Sequence, residues 1–339
     1  MRTSAIVLAS TVLFGAARHL VAQGGLHYAG GSYNIRDFLV PGPGSYASWY
    51  SYFYRSSQFN GQNGDKLSSF LVPTNSGQSL PVNLNVDVFM TAQTPFYMWV
   101  APWKILGGKY SVYVAPEFSN TNLNVAASTA TRVGGAVGVG SFGMGDPQLQ
   151  PIWLGWTTHH WDFAIGDGVY VPIGKYSTQT LKGPGGNSIT IASPDNIGLG
   201  FWENQVQGAG AWYPDTAHAT AVVAALTWEV AGEKRDLNYT PGQQLTLNWG
   251  LSQYLPLPRS KILLGEVGIA GYDSWQVTRT TGAGFTGPNT LNSVNAVGGE
   301  LNLTNPQMGI TLTVHGFYEY SAASRLRGSS FGISLGGKL

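Results

Sequence analysis

The chain has 339 residues, no cysteine, 46 glycines and only 10% charged side chains, 18 basic against 17 acidic. A soluble domain carries about 25% charge, so this composition does not suit a surface that meets bulk water all round. Balanced charge without a basic patch argues against a nucleic-acid partner, and the missing cysteines exclude disulfide scaffolds, thiol catalysis and zinc–thiolate sites.

Residues 1–23 read as a secretory signal. Arg2 supplies a short positive start, "SAIVLASTVLFGAA" an apolar stretch, and "HLVAQ" small residues for cleavage. Arg18 and His19 end the run short of the roughly 20 residues that a membrane helix needs. Residues 24–44, "GGLHYAGGSYNIRDFLVPGPG", precede the first expected strand. Their length suits a plug folded into a barrel lumen, with "NIRDFLV" as a helical turn and Phe38, Leu39 and Val40 as its apolar tip. A loose periplasmic tail is the alternative.

From there the pattern has period two, the signature of strands with unlike faces. In "PVNLNVDVFM" Val82, Leu84, Val86 and Val88 alternate with Asn83, Asn85 and Asp87. In "QQLTLNWGLSQY" Leu245, Leu247, Trp249 and Leu251 alternate with Thr246, Asn248 and Ser252. "QMGITLTVHGFYEY" and "SSFGISLGGKL" behave alike. The polar faces are almost uncharged and rich in glycine and hydroxyls, which suits a lumen better than the Lys- and Glu-bearing outer face of a sandwich. In a membrane barrel the apolar face meets lipid and the polar face the lumen.

Strands are expected near 46–57, 82–94, 95–103, 109–118, 123–135, 147–157, 160–172, 199–213, 217–230, 243–255, 260–277, 290–303, 308–321 and 327–339. The fold class is therefore all-β, an antiparallel transmembrane barrel of about fourteen strands, with twelve as the alternative. Linkers such as "TTHH", "YPDTAH", "PLPRS" and "TNPQ" are short, while those around 174–196, 231–242, 278–290 and 321–327 are mostly longer. That is the asymmetry of periplasmic turns and external loops. Trp153, Trp156, Trp212, Tyr213 and Tyr254 cluster beside the short turns, as an interfacial girdle would. "GAVGVGSFGMG", 135–145, lacks the helix and Lys-Ser/Thr of a phosphate-binding loop and reads as a flexible outer loop.

The block "GDPQLQPIWLGWTTHHWDFAIGDGVYVPIGKY", 145–176, resembles the signature hairpin of the outer-membrane family named for the MetA pathway of phenol degradation, which includes sphingosine-uptake-type channels. Gly-Asp, Gln-Pro, "LGW", a short turn and a Tyr-x-Pro-x-Gly-Lys-Tyr ending stand in order. "PGPGSYASWYSYFY", "GYDSWQVTRTTG" and "SRLRGSSFGISLGGKL" agree with it as well. Departures are Ser324 for the usual Asn, Ile173 for a Thr, and a terminal Leu339 where such barrels more often end in Phe. The resemblance implies a Gram-negative outer-membrane barrel linked to passage of small hydrophobic or aromatic solutes. Its expected partners are those solutes, outer-membrane lipid and the barrel-assembly machinery.

By parity the lumen should carry Asn85, Asp87, Glu117, Asn248, Glu266, Tyr272, Glu300, Thr313, His315 and Glu319. These are read as solute-lining groups or as braces of the barrel. No catalytic, cofactor or metal site is expected. His159 and His160 are adjacent, so on extended chain they point apart and chelate poorly. His315 and Glu319 lie about 13 Å apart along one strand. Two other readings stay open. One is an exported soluble sandwich that binds a glycan or a protein. The other is a barrel-embedded lipid hydrolase, which needs a lumenal Ser such as Ser252, Ser330 or Ser334 to meet a His.

Overall fold

The computed structural model describes residues 25–73, 79–129, 134–182, 188–257, 263–285 and 289–339. The expected signal, 1–23, lies outside them. Among the described residues seventeen strands follow one another: β1 (Gly44–Asn60), β2 (Ser69–Pro73), β3 (Ser79–Ile105), β4 (Gly108–Ala115), β5 (Phe118–Thr129), β6 (Gly134–Met144), β7 (Gln148–Thr157), β8 (Trp161–Tyr170), β9 (Thr178–Lys182), β10 (Ser188–Ala192), β11 (Glu203–Trp212), β12 (Thr220–Ala231), β13 (Gln244–Pro256), β14 (Leu264–Gln276), β15 (Ser293–Asn305), β16 (Ile310–Ala323) and β17 (Arg325–Lys338).

Antiparallel pairing runs β1-β17-β16-β15-β14-β13-β12-β11-β8-β7-β4-β3 and closes where β3 returns to β1. The ring has twelve strands. Closure leaves no free sheet edge in the ring, and this is what allows strands to cross a membrane. It also removes the sandwich reading, which needs two separate sheets.

The difference between fourteen and twelve has a local cause. The expected strands 82–94 and 95–103 are one strand, β3, which passes through Pro95. Gln93 pairs with Phe118 of β5 and Tyr97 with Val114 of β4, so Pro95 stands opposite Pro116. A residue without an N–H is tolerated here because its neighbour strand is itself interrupted. The expected strand 123–135 is β5, which pairs with β3 above the ring. Its partner β6 occupies the stretch 135–145 read as a flexible loop, and that reading is overturned. The glycines hid the strand's alternation: a Cβ on Gly138 or Gly140 would crowd Asn124 or Asn122 across the pair.

The outer surface of the ring is apolar. Phe163, Ile165, Leu251, Ile269, Leu301 and Phe331 are among its exposed side chains. A contiguous apolar surface of this kind suits lipid and not water. One end of the ring carries Leu106–Gly107 and the turns 158–160, 213–219 and 306–309, together with the C-terminus. The other carries 171–202, 232–243 and 277–292. We call these the turn end and the loop end. The link between β16 and β17, expected to be longer, is the single residue Ser324. Its φ of 55° is left-handed, a conformation Asn adopts more readily than Ser. The girdle is divided too: Trp212 faces outward, whereas Trp153 and Tyr213 turn inward and are buried.

Candidate functional site

Residues 25–43 form no strand and run through the lumen from the loop end to the turn end. Tyr28, Ile35, Phe38 and Val40 are buried there, with Leu39 packed against the same cluster. The stretch "NIRDFLV" makes two successive tight turns, Asp37 N–H to Asn34 O at 3.1 Å and Leu39 N–H to Arg36 O at 3.4 Å. The wall makes room by omitting side chains. A Cβ on Gly250 would meet Ile35 at 2.8 Å, and one on Gly155 would meet Val40 at 2.5 Å.

A chain inside a barrel has no ladder partner, so its N–H groups need acceptors from the wall. Lumenal carboxylates and amides supply them. The Tyr28 N–H donates to Glu229 Oε1 at 2.7 Å, Gly31 N–H to Asn248 Oδ1 at 3.0 Å, and Ile35 N–H to Glu300 Oε2 at 2.9 Å. Arg36 pairs with Glu266 at 2.5 Å, donates to the carbonyls of His218 and Ala219, and lies 4.2 Å above the Tyr254 ring. Tyr50 donates to Asp37 at 2.9 Å. Asn34 also donates to the Asp37 carboxylate, from Nδ2 at 2.7 Å. At the turn end Lys109 and Lys338 hold the carbonyls of Val40 and Pro43, each at 2.8 Å.

At the loop end the segment is pinned by His27. Its Nε2 lies 2.9 Å from Asp146 and its Nδ1 2.9 Å from Glu203, and its ring stacks on Tyr170 at 4.4 Å. Burial opposes the imidazolium, but the hydrogen bonds to Asp146 and Glu203 outweigh it and lift His27 to about 9. Burial likewise works against Asp146. His27 and the N–H groups of Leu199 and Gly174 nevertheless hold it below the usual carboxylate range. Asp146 thus ties the plug, the β6–β7 junction and the loop 171–202 at one point.

Of the lumenal residues expected from parity, Asn248, Glu266, Tyr272, Glu300, Thr313, His315 and Glu319 turn inward and are buried. Glu117 sits at the β4–β5 break and bonds Ser119. Asn85 and Asp87 are misplaced by that reading. They lie on the outer face of β3 beyond the ring, Asn85 exposed and Asp87 3.8 Å from Arg55. There Val82, Leu84, Val86 and Val88 pack with Phe59 and Leu326, and the polar face meets water. His315 is too far from Glu319 to pair with it, and instead faces Asn34 at 3.2 Å and Glu300, its cross-strand neighbour, at 3.9 Å. Ser252 accepts from Arg36 and Ser334 from Asn34, so these serines brace the plug. The residues that parity missed are His27, Arg36, Asp146, Glu203 and Glu229. Glu203 and Glu229 stand on the buried parity of β11 and β12, so alternation could have found them, whereas no periodic signal marks His27, Arg36 or Asp146.

Below the plug a cavity of about 410 Å³ opens on the turn end. One wall carries Phe38, Tyr50, Phe96, Met98, Tyr113 and Trp153; the other carries Glu300, Asn302, Thr311, Thr313 and Ser334.

Residues 71–335 match the family described as "Putative MetA-pathway of phenol degradation". The chain belongs to this family. No curated protein matches it. Among solved structures it is similar to an outer-membrane channel from Pseudomonas putida F1, with 11% identity over 91% of this chain and 100% of that one, at a TM-score of 0.58. Fainter likenesses join it to the β domain of the Bordetella autotransporter BrkA (11% identity, 87% and 99% covered, TM-score 0.45) and to the Pseudomonas putida toluene transporter TodX (9%, 94% and 95%, 0.40). The family and the closed ring together make the chain an outer-membrane β-barrel.

Proposed function

We propose that the protein is a passive outer-membrane channel for small hydrophobic or aromatic solutes, with residues 25–43 as its gate and no covalent step. The observation that carries this reading is the divided wall of the turn-end cavity. Aromatic rings opposite a row of hydroxyls and amides suit a solute with an apolar body and a polar end. The fold shared with the Pseudomonas putida channel supports the same reading. Solute reaches the plug from the loop end, the plug yields, and the solute leaves through the aromatic cavity to the periplasm. Asp37, Glu266 and Glu300 act as tethers of the gate and not as acid–base groups, since each is already bonded to a plug residue or to the wall.

Proteoliposomes test it. Uptake of phenols, aromatic acids and sphingoid amines by full-length barrel should exceed that of sugars of similar size. Equal rates for the sugars would leave a general porin as the better description.

A further inference from the structure

The outer face of the seam β16–β17–β1 changes character toward the loop end. Trp49 pairs there with Leu335, Ser51 with Ile333, and Phe53 with Phe331, the last two rings 6.3 Å apart. The next cross-strand row is Arg55, Ser329 and Tyr318. From Tyr46, which pairs with Lys338 at the turn end, β1 runs nine residues to Arg55. That is a rise of about 23 Å at a tilt of about 40°, close to the roughly 25 Å of an outer-membrane apolar band. Arg55 therefore stands where lipid tails give way to headgroups. It is 74% exposed and lies 3.8 Å from Asp87, too far for a hydrogen bond, so among the described residues its guanidinium donates to nothing. Arg327 reaches the same row. Its Nε donates to the Glu319 carbonyl and its Nη2 to the Tyr318 hydroxyl, each at 2.9 Å, with the guanidinium 5.7 Å from the Tyr318 ring. Those bonds occupy two of five N–H groups and hold the fork near the exposed Ser329.

The row continues onto β3, β5 and β6. Phe89 pairs with Arg55, Asn122 with Phe89, and Gly140 with Asn122. Phe89 is 41% exposed and Phe142, diagonally across, 70%. Asn120 and Asn122 lie exposed between them. Phenyl faces beside exposed amides suit the apolar faces and the hydroxyls of a sugar. Two guanidinium forks against the one carboxylate of Asp87 favour an anion, and phosphate matches the geometry of the fork. We infer that this face binds a phosphorylated glycolipid of the outer leaflet. Its acyl chains lie along Phe53 and Phe331, a sugar phosphate sits between Arg55 and Arg327, and the sugar covers Phe89 and Asn122. The inference goes beyond the channel reading and does not depend on it. A glycerol phospholipid offers the arginines a phosphate but gives the amides no sugar, and a neutral glycolipid offers the arginines no charge.

Native mass spectrometry on the full-length barrel in neutral detergent tests this with three lipids. They are lipid A, which is a bisphosphorylated glycolipid, its fully dephosphorylated form, and phosphatidylglycerol. Lipid A should bind saturably and more tightly than either of the others. Arg55→Gln should weaken lipid A about fivefold, the factor for one basic side chain at an anionic leaflet. Asn122→Ala should weaken lipid A several-fold, as loss of a hydrogen bond does, and leave phosphatidylglycerol unchanged. Both substitutions are at exposed positions, so heat-modifiable migration should persist in each. Equal affinity of the wild type for lipid A and either comparison lipid, a result that needs no variant, overturns the inference. So does undiminished lipid A binding by Arg55→Gln or by Asn122→Ala.

Discussion

At the scale of single residues the proposed gate depends on buried charges that meet their partners. His27 has the clearest consequence. Its folded value of about 9 stands above the free value of 6.5. A raised base stabilises fully below the unfolded value and loses that contribution as pH rises through the folded one. The latch to Asp146 and Glu203 is therefore complete below pH 6.5 and fades as pH passes about 9. Single-channel conductance of the wild type should rise between pH 7 and pH 10, and His27→Gln should be more conductive than wild type already at pH 7 and change little with pH. Lys234, which burial lowers to about 8, titrates in the same range, so the variant separates the two. Identical pH profiles for wild type and variant would remove His27 from the gate. Ser324 illustrates a different residue-scale point. The Asn expected there by resemblance has a physical reason, since the position is left-handed.

At the scale of the strand, parity decides which substitutions the barrel bears. Leu312 of β16 is 42% exposed on the outer face, whereas Thr311 lines the turn-end cavity. Arg on the lipid face near the midplane costs about 2–4 kcal/mol, whereas in the lumen it mainly changes selectivity. Leu312 is third in β16, close to the turn end, where this cost falls toward about 1 kcal/mol. A folding titration in lipid should therefore find Leu312→Arg destabilised by about that smaller amount and Thr311→Arg by clearly less. A reversed order would invert the inside–outside assignment of β16. Parity reads only one strand at a time, and this is why Asn85 and Asp87 escaped it. Their alternation matches that of the ring strands, but this part of β3 has risen out of the ring, so its apolar face packs on protein and its polar face meets water.

At the scale of the molecule the barrel and its plug form one closed object. Arg36, His27, Lys109 and Lys338 fasten the segment at both ends, with wall carboxylates between them. Removing residues 25–37 should leave the ring closed, because every ring pairing is made between strands. It also leaves Glu229, Glu266 and Glu300 facing an aqueous lumen, where water can solvate them. Reconstituted truncated barrel should retain heat-modifiable migration and show several-fold higher conductance than the full-length protein. Equal conductance would show that the segment does not limit passage.

Taken alone, the amino-acid order determined the class of fold, the facing of most ring strands and the family, because each is written in local pattern: a period of two, the turn chemistry and the 145–176 block. It also placed an apolar tip at Phe38, Leu39 and Val40. The number of strands that close, the strand hidden in 135–145 and the path of the plug were settled only in three dimensions. The latch belongs with them, since His27 meets Asp146 across 119 residues and Glu203 across 176. Closure depends on how far β3 extends and on which neighbour it pairs with at each height, and glycines leave a strand without visible alternation. Contacts between a patternless segment and a distant wall carry no periodic signal, so only the folded chain brings them together.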